Sequence, residues 1–83
     1  MKVQLELYAS LMEFLPAGAD RHRTEAEVPA GTTPAQLLAR YRVPPERAHL
    51  VLRNGVFLPP EARDSTPLEA GDVIAAWPPV AGG

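Results

Sequence analysis

The segment from Thr33 to Pro45 carries the start and stop signals of one short helix, and that limits what the rest of the chain can build. Thr32 or Thr33 supplies a capping hydroxyl. Pro34 sits at the first helical position, where a missing N–H costs nothing, and Gln36 stands at capping-box spacing from Thr33. Leu37, Leu38 and Tyr41 give the helix one apolar side. Arg40 and Arg42 suit the negative end of its dipole, and Val43-Pro44-Pro45 stops it. A helix this short covers one core from one side, so strands must supply the other layer.

The flanking segments read as those strands. Val3, Leu5 and Leu7 alternate with Gln4, Glu6 and Tyr8, the period of a half-buried strand. Leu11, Met12, Phe14 and Leu15 then cluster before Pro16-Ala17-Gly18, as a helical turn or broad loop folding back on the core. His22 to Val28 forms a second strand, paired with the first at an edge, and Pro29-Ala30-Gly31 ends it. His49 to Arg53 is a third strand. Asn54-Gly55 then makes a hairpin, because both positions accept φ > 0, and Val56-Phe57-Leu58 returns from it. Pro59-Pro60 ends the return, Glu61 to Pro67 is a polar crossing, and Leu68 anchors a turn through Gly71-Asp72. Val73 to Trp77 is apolar on both faces, as expected of a central strand or one with a partner-binding face.

With the final strand beside the first, this order gives an α+β fold: a mixed sheet of four to five strands packed on one main helix. That is the β-grasp, or ubiquitin-like, architecture. The connection rules allow it, while periodicity alone leaves other α+β sandwiches open.

At 83 residues the chain is one small domain, expected over residues 1–77, near the size where a single core barely suffices. The absence of cysteine excludes disulfides, thiolate metal sites and cysteine nucleophiles. A net charge of −2 without a basic cluster argues against nucleic-acid and acidic-membrane partners. The N-terminal sequence has no apolar run of signal-peptide length, and no stretch is long enough to span a bilayer, so a cytoplasmic location is expected. His22 and His49 are too few and too scattered for a metal site. Ser10, Ser65 and Asp64 form no triad pattern, and there is no P-loop. No autonomous enzyme is expected.

Beyond Trp77 the sequence reads Pro78-Pro79-Val80-Ala81-Gly82-Gly83, expected to be a flexible tail over residues 78–83. The prolines fix φ and stiffen its base, and six residues reach about 20 Å when extended. Glycine lacks Cβ, so a diglycine end can thread a channel closed to other residues and present its carboxylate to another protein's active site. An ordinary frayed terminus is the alternative.

Three stretches together resemble the MoaD/ThiS family of ubiquitin-like sulfur carriers. The first is Val28-Pro29-Ala30-Gly31-Thr32-Thr33 leading into Leu37-Leu38. The second is Asn54-Gly55 after an apolar strand. The third runs from Leu68-Glu69-Ala70-Gly71-Asp72-Val73-Ile74 through Trp77 into the Pro-Pro-Val-Ala-Gly-Gly end. Within that family the tail is most similar to molybdopterin synthase small subunits, where an aromatic residue precedes Pro-Pro. Two features depart from the pattern: Trp77 stands where Phe is commoner, and the crossing loop with Pro59-Pro60 and Arg63-Asp64-Ser65-Thr66 is heavy.

The resemblance implies that the chain is a cosubstrate without a catalytic side chain. An adenylating enzyme of the MoaB/MoeB/ThiF kind would use ATP to activate the Gly83 carboxylate, and a persulfide sulfur donor would convert it to a thiocarboxylate. The sulfur would pass to precursor Z on a MoaE-like molybdopterin synthase large subunit. Gly82 would let the chain pass a constriction. Thiamine, transfer RNA or cysteine thiolation, ubiquitin-like conjugation, and a non-covalent binding module are the other readings. Docking is expected to use Phe57, Trp77, Pro78, Pro79, Val80 and Ala81, with Val56 and Leu58 beside them. Phe57 and Leu58 would otherwise fill the core. Arg53 and Arg63 either meet acidic groups on the activating enzyme or are solvated.

Overall fold

Five strands and one helix are joined in the order read from the sequence, and the computed structural model describes residues 1–79. β1 (Lys2–Leu7) lies antiparallel to β2 (Arg23–Glu27) and parallel to β5 (Val73–Trp77). β5 lies antiparallel to β3 (Leu50–Arg53), which turns back into the short β4 (Val56–Phe57). The order β2-β1-β5-β3-β4 puts β5 in the middle of a five-stranded mixed sheet. This sheet packed on one helix is the β-grasp arrangement.

Each connection has a local cause. Asn54 (φ 51°) and Gly55 (φ 82°) both take positive φ, so Arg53 and Val56 face each other across a two-residue turn whose twist matches the strands. α1 (Pro34–Arg40) starts with a reciprocal box: the Gln36 N–H donates to Thr33 Oγ1 at 3.2 Å, and the Thr33 N–H donates to Gln36 Oε1 at 3.1 Å. It ends when Arg42 enters the left-handed region (φ 64°). The Arg42 N–H then donates to Ala39 O at 2.9 Å and the Val43 N–H to Leu38 O at 3.1 Å. This is a Schellman closure made without glycine. The Leu11–Leu15 cluster begins in a 3-10 turn over Ala9–Phe14 that turns Leu11 into the core.

The core fills the space between α1 and one face of the sheet. Val3, Leu5 and Leu7 of β1 meet Ile74 and Ala76 of β5, Val51 of β3, and Leu37 and Leu38 of α1. Leu58 and Leu68 close it from the loops.

Two arginines depart from the sequence expectation of free or solvated surface charge. Arg63 is 9% exposed. Its Nε donates to Leu58 O at 3.1 Å, Nη1 to Ala48 O at 2.7 Å and Nη2 to His49 O at 3.2 Å. Its own carbonyl accepts from the Ala35 N–H at 2.8 Å, at the start of α1. The polar crossing is therefore tied to the helix, to β4's exit and to β3's entry. Burial pushes the Arg63 pKa down. Arg53 donates from Nη2 to Asp72 Oδ2 at 2.7 Å, and Asp72 also accepts from Asn54 Nδ2 at 3.0 Å and the Glu69 N–H at 2.8 Å. Both guanidiniums are committed inside the domain. Among the described residues, no helix is long and apolar enough to cross a membrane.

Candidate partner-docking face at the root of the tail

The strand period divides the sheet into a core face and an outer face, and the outer face divides again by chemistry. On β1 and β2 it carries Gln4, Glu6, Arg23 and Glu25, which are paired with one another or with Lys2. On β5, β3 and β4 the same register brings Ala75, Trp77, Leu50, Leu52 and Phe57 together. Leu50 opposes Trp77, Leu52 opposes Ala75, and Phe57 opposes Leu52. One half is a solvated charged lattice and the other is an apolar strip. Phe57 is 54% exposed and Leu50 37% exposed, large apolar side chains left open to solvent on that face. Val56 at the hairpin tip is exposed as well. Contiguous apolar surface of this kind is typical of an interaction site.

Trp77 is the last residue of β5, and the sheet holds its backbone. The His49 N–H donates to Trp77 O at 2.9 Å, while on the other side the Tyr8 N–H donates to Ala76 O at 3.1 Å. Pro78 and Pro79 then have no N–H with which to continue the ladder, so the chain leaves the sheet there. Ala9 and Ser10, His49 and Leu50, and the Trp77-Pro78-Pro79 segment line one open, mostly apolar groove around this exit.

The seam between the two halves is aromatic. The Tyr8 and Trp77 rings stack with centroids 4.4 Å apart and planes 3° from parallel, and His22 lies 4.6 Å from Tyr8 at 24°. The Tyr8 hydroxyl donates to Glu6 Oε1 at 2.8 Å, and Arg23 holds the other Glu6 oxygen through Nε at 2.9 Å. Burial lifts the Glu6 pKa, but the bonds from Arg23 and Tyr8 outweigh it and hold the carboxyl below its usual value. The same bond to Glu6, with some burial, pushes the Tyr8 phenol up.

Of the expected docking residues, Phe57, Trp77 and Pro78 lie on or beside this face, with Pro79 exposed just beyond. Leu58 belongs to the core instead, with its N–H donating to Val51 O at 2.8 Å. Val80, Ala81, Gly82 and Gly83 lie outside the described residues. Ser10 takes a bond from Arg47 Nη2 at 3.3 Å, and the Ser65 hydroxyl donates to Glu61 O at 3.2 Å, so both serve locally. Sequence reading missed Leu50, Leu52 and Tyr8. For the two leucines the signal was present: leucines on both sides of inward-facing Val51 make β3 apolar on both faces, as β5 is. An apolar groove of Ala35, Leu38, Ala39 and Val43 lies on the helix side, with Arg63 at its edge, away from the tail exit.

The ThiS family model matches residues 5–83 of the chain. No curated protein matches it. Among solved structures, SAMP1 from Haloferax volcanii is 25% identical with a TM-score of 0.67, over 100% of both chains. The HVO 2177 protein of the same organism is 26% identical with a TM-score of 0.71, over 100% of this chain and 87% of that one. A Pyrococcus furiosus protein named as a candidate molybdopterin converting factor, subunit 1, is 22% identical. Its TM-score is 0.65, over 95% of this chain and 98% of that one, a likeness of fold.

Proposed function

We propose, from the premise that this chain belongs to the ThiS family of ubiquitin-like sulfur carriers, that it carries sulfur for molybdopterin synthesis as a thiocarboxylate at Gly83. A free carboxylate resists nucleophiles because its charge and resonance oppose attack. The Gly83 carboxylate attacks the α-phosphate of ATP held by an activating partner, and pyrophosphate leaves. A persulfide sulfur displaces AMP from the acyl adenylate, and a thiol cleaves the remaining S–S bond to leave the thiocarboxylate. Delivery to precursor Z takes place on the large subunit of molybdopterin synthase. On this reading the chain binds no cofactor, and the partners supply the phosphate-binding and acid–base groups.

The observation that carries this reading is the placement of the apolar strip. It runs from Phe57 and Leu52 to Trp77, where the chain leaves the sheet at Pro78-Pro79. A protein gripping this strip receives the end of the chain from its edge. Aromatic side chains are enriched among residues that dominate binding energy, and Phe57 and Trp77 fit that role. The Pro-Pro pair and the aromatic residue before it support the molybdopterin route over the thiamine one.

The test is incubation of the full chain with its native activating enzyme, ATP and a persulfide donor, followed by intact-mass and C-terminal peptide mass measurement. One oxygen-for-sulfur exchange on the peptide ending in Gly83 is expected. An unchanged mass overturns the carrier reading. Capture with the tail intact should then recover a molybdopterin synthase large subunit; recovery of a thiazole synthase instead overturns the pathway.

A further inference from the structure

We infer that Tyr8 is a positioning residue for the activation step, holding the Trp77 indole in the orientation in which the activating enzyme meets it. The inference rests on the carrier reading above. The backbone of Trp77 is fixed by the sheet, but its side chain stands at the end of β5 with Leu50 as its cross-strand neighbour. An indole there would be free to choose rotamers without a second support. Tyr8 supplies it, with its ring stacked on the indole 3° from parallel.

Tyr8 is itself held from every side. Its N–H donates to Ala76 O, its hydroxyl donates to Glu6, Arg23 grips Glu6, and His22 covers the other ring face. The chain then reverses at Ala9, which takes φ 52°, a value L side chains rarely adopt. That turn lets Tyr8 stay on the outer face while Leu11 enters the core. A run of rings and charges is thus assembled behind one half-buried tryptophan at the tail's root. Fixing an anchor before the partner arrives removes an ordering cost from association, which lowers KM without changing the chemical step.

Trp77 is the single tryptophan of the chain, so tryptophan fluorescence reports on that one indole. The experiment measures acrylamide quenching and anisotropy of Trp77, together with adenylation by the native activating enzyme over a range of carrier concentrations. It compares wild type with Tyr8→Phe, Tyr8→Leu and Tyr8→Ala, and circular dichroism checks the fold. Tyr8→Phe keeps the ring and should stay within about twofold of wild type in KM. Tyr8→Ala and Tyr8→Leu should free the indole and raise KM about three- to tenfold with kcat kept. Tyr8→Leu retains apolar volume and decides the matter if Tyr8→Ala fails to fold. A freed indole with an unchanged KM overturns the inference, as does an indole no freer than in wild type or a loss carried by kcat. A wild-type chain that is never adenylated overturns the carrier reading and this inference with it.

Discussion

Arg63 Nη1 donates to the Ala48 carbonyl oxygen at 2.7 Å, joining a polar loop to the entry of β3 through a buried cation. With the bonds to Leu58 O and His49 O, one side chain satisfies three carbonyls from two segments, the entry of β3 and the exit of β4. Replacing it by methionine keeps the apolar stem but leaves those carbonyls unpaired. Arg63→Met should therefore cost about 2–4 kcal/mol in urea unfolding with an unchanged m-value. Arg63→Lys should recover less than half, because one ammonium cannot reproduce the planar fork.

Asp72 gives the domain part of its acid sensitivity. Burial raises its pKa, but the bonds from Glu69 and Asn54 and the charge of Arg53 prevail, so the folded value lies below the usual 3.8. Its contribution is present above the unfolded pKa and is lost as pH falls through the folded value. Unfolding free energy should thus drop progressively below about pH 4. Asp72→Asn should be about 1–3 kcal/mol less stable at pH 7, show a shallower acid limb, and approach wild type as pH falls through the folded value. Denaturant titrations at a series of pH values check this.

Arg42 occupies the left-handed position that closes α1, a place where glycine is the ordinary choice. Its side chain is exposed and forms no hydrogen bond or ion pair among the described residues. Arg42→Gly should stabilise the domain by about 0.5–1 kcal/mol, read as an upward shift of the thermal midpoint. Arg42→Val should do the opposite.

Phe57 and Leu50 test the docking face directly. Both are exposed, so Phe57→Ala and Leu50→Ala should leave stability within about 1 kcal/mol of wild type. Each should weaken the complex with the activating enzyme at least about tenfold by calorimetry. Glu25→Ala, on the charged half of the same face, should leave affinity unchanged because exposed ion pairs contribute little.

Gly82 lies outside the described residues and is tested through its chemistry. Gly82→Ala should abolish thiocarboxylate formation while unfolding curves stay at wild-type values. Mass measurement after incubation with the activating enzyme decides it, and wild-type accumulation of the sulfur-bearing form would falsify the tail's role.

Features written in local sequence were legible, and those built from distant segments were not. The capping box, the Asn54-Gly55 turn, the alternation of β1 and the two-faced apolarity of β5 each follow from residues within a few positions of one another. Arg63 stands among Asp64, Ser65 and Thr66 and reads as surface. It is buried because Ala48 and His49, fourteen or more positions back along the chain, turn their carbonyls toward the same point as Leu58. The Tyr8–Trp77 stack likewise joins the ends of two strands that only the parallel pairing brings together. The prolines marked the end of α1, but the left-handed closure at Arg42 was not legible, because the residue doing glycine's work carries a side chain.

The central place of β5 makes folding a test of completeness. A chain that stopped short of Val73 would have β1 with β2 and β3 with β4, two hairpins with no strand between them. Ile74 and Ala76 would be missing from the middle of the core. The domain closes only after synthesis has passed the strand that leads straight into the tail. A partner that recognises the finished sheet therefore selects, by shape alone, molecules in which synthesis has passed Trp77.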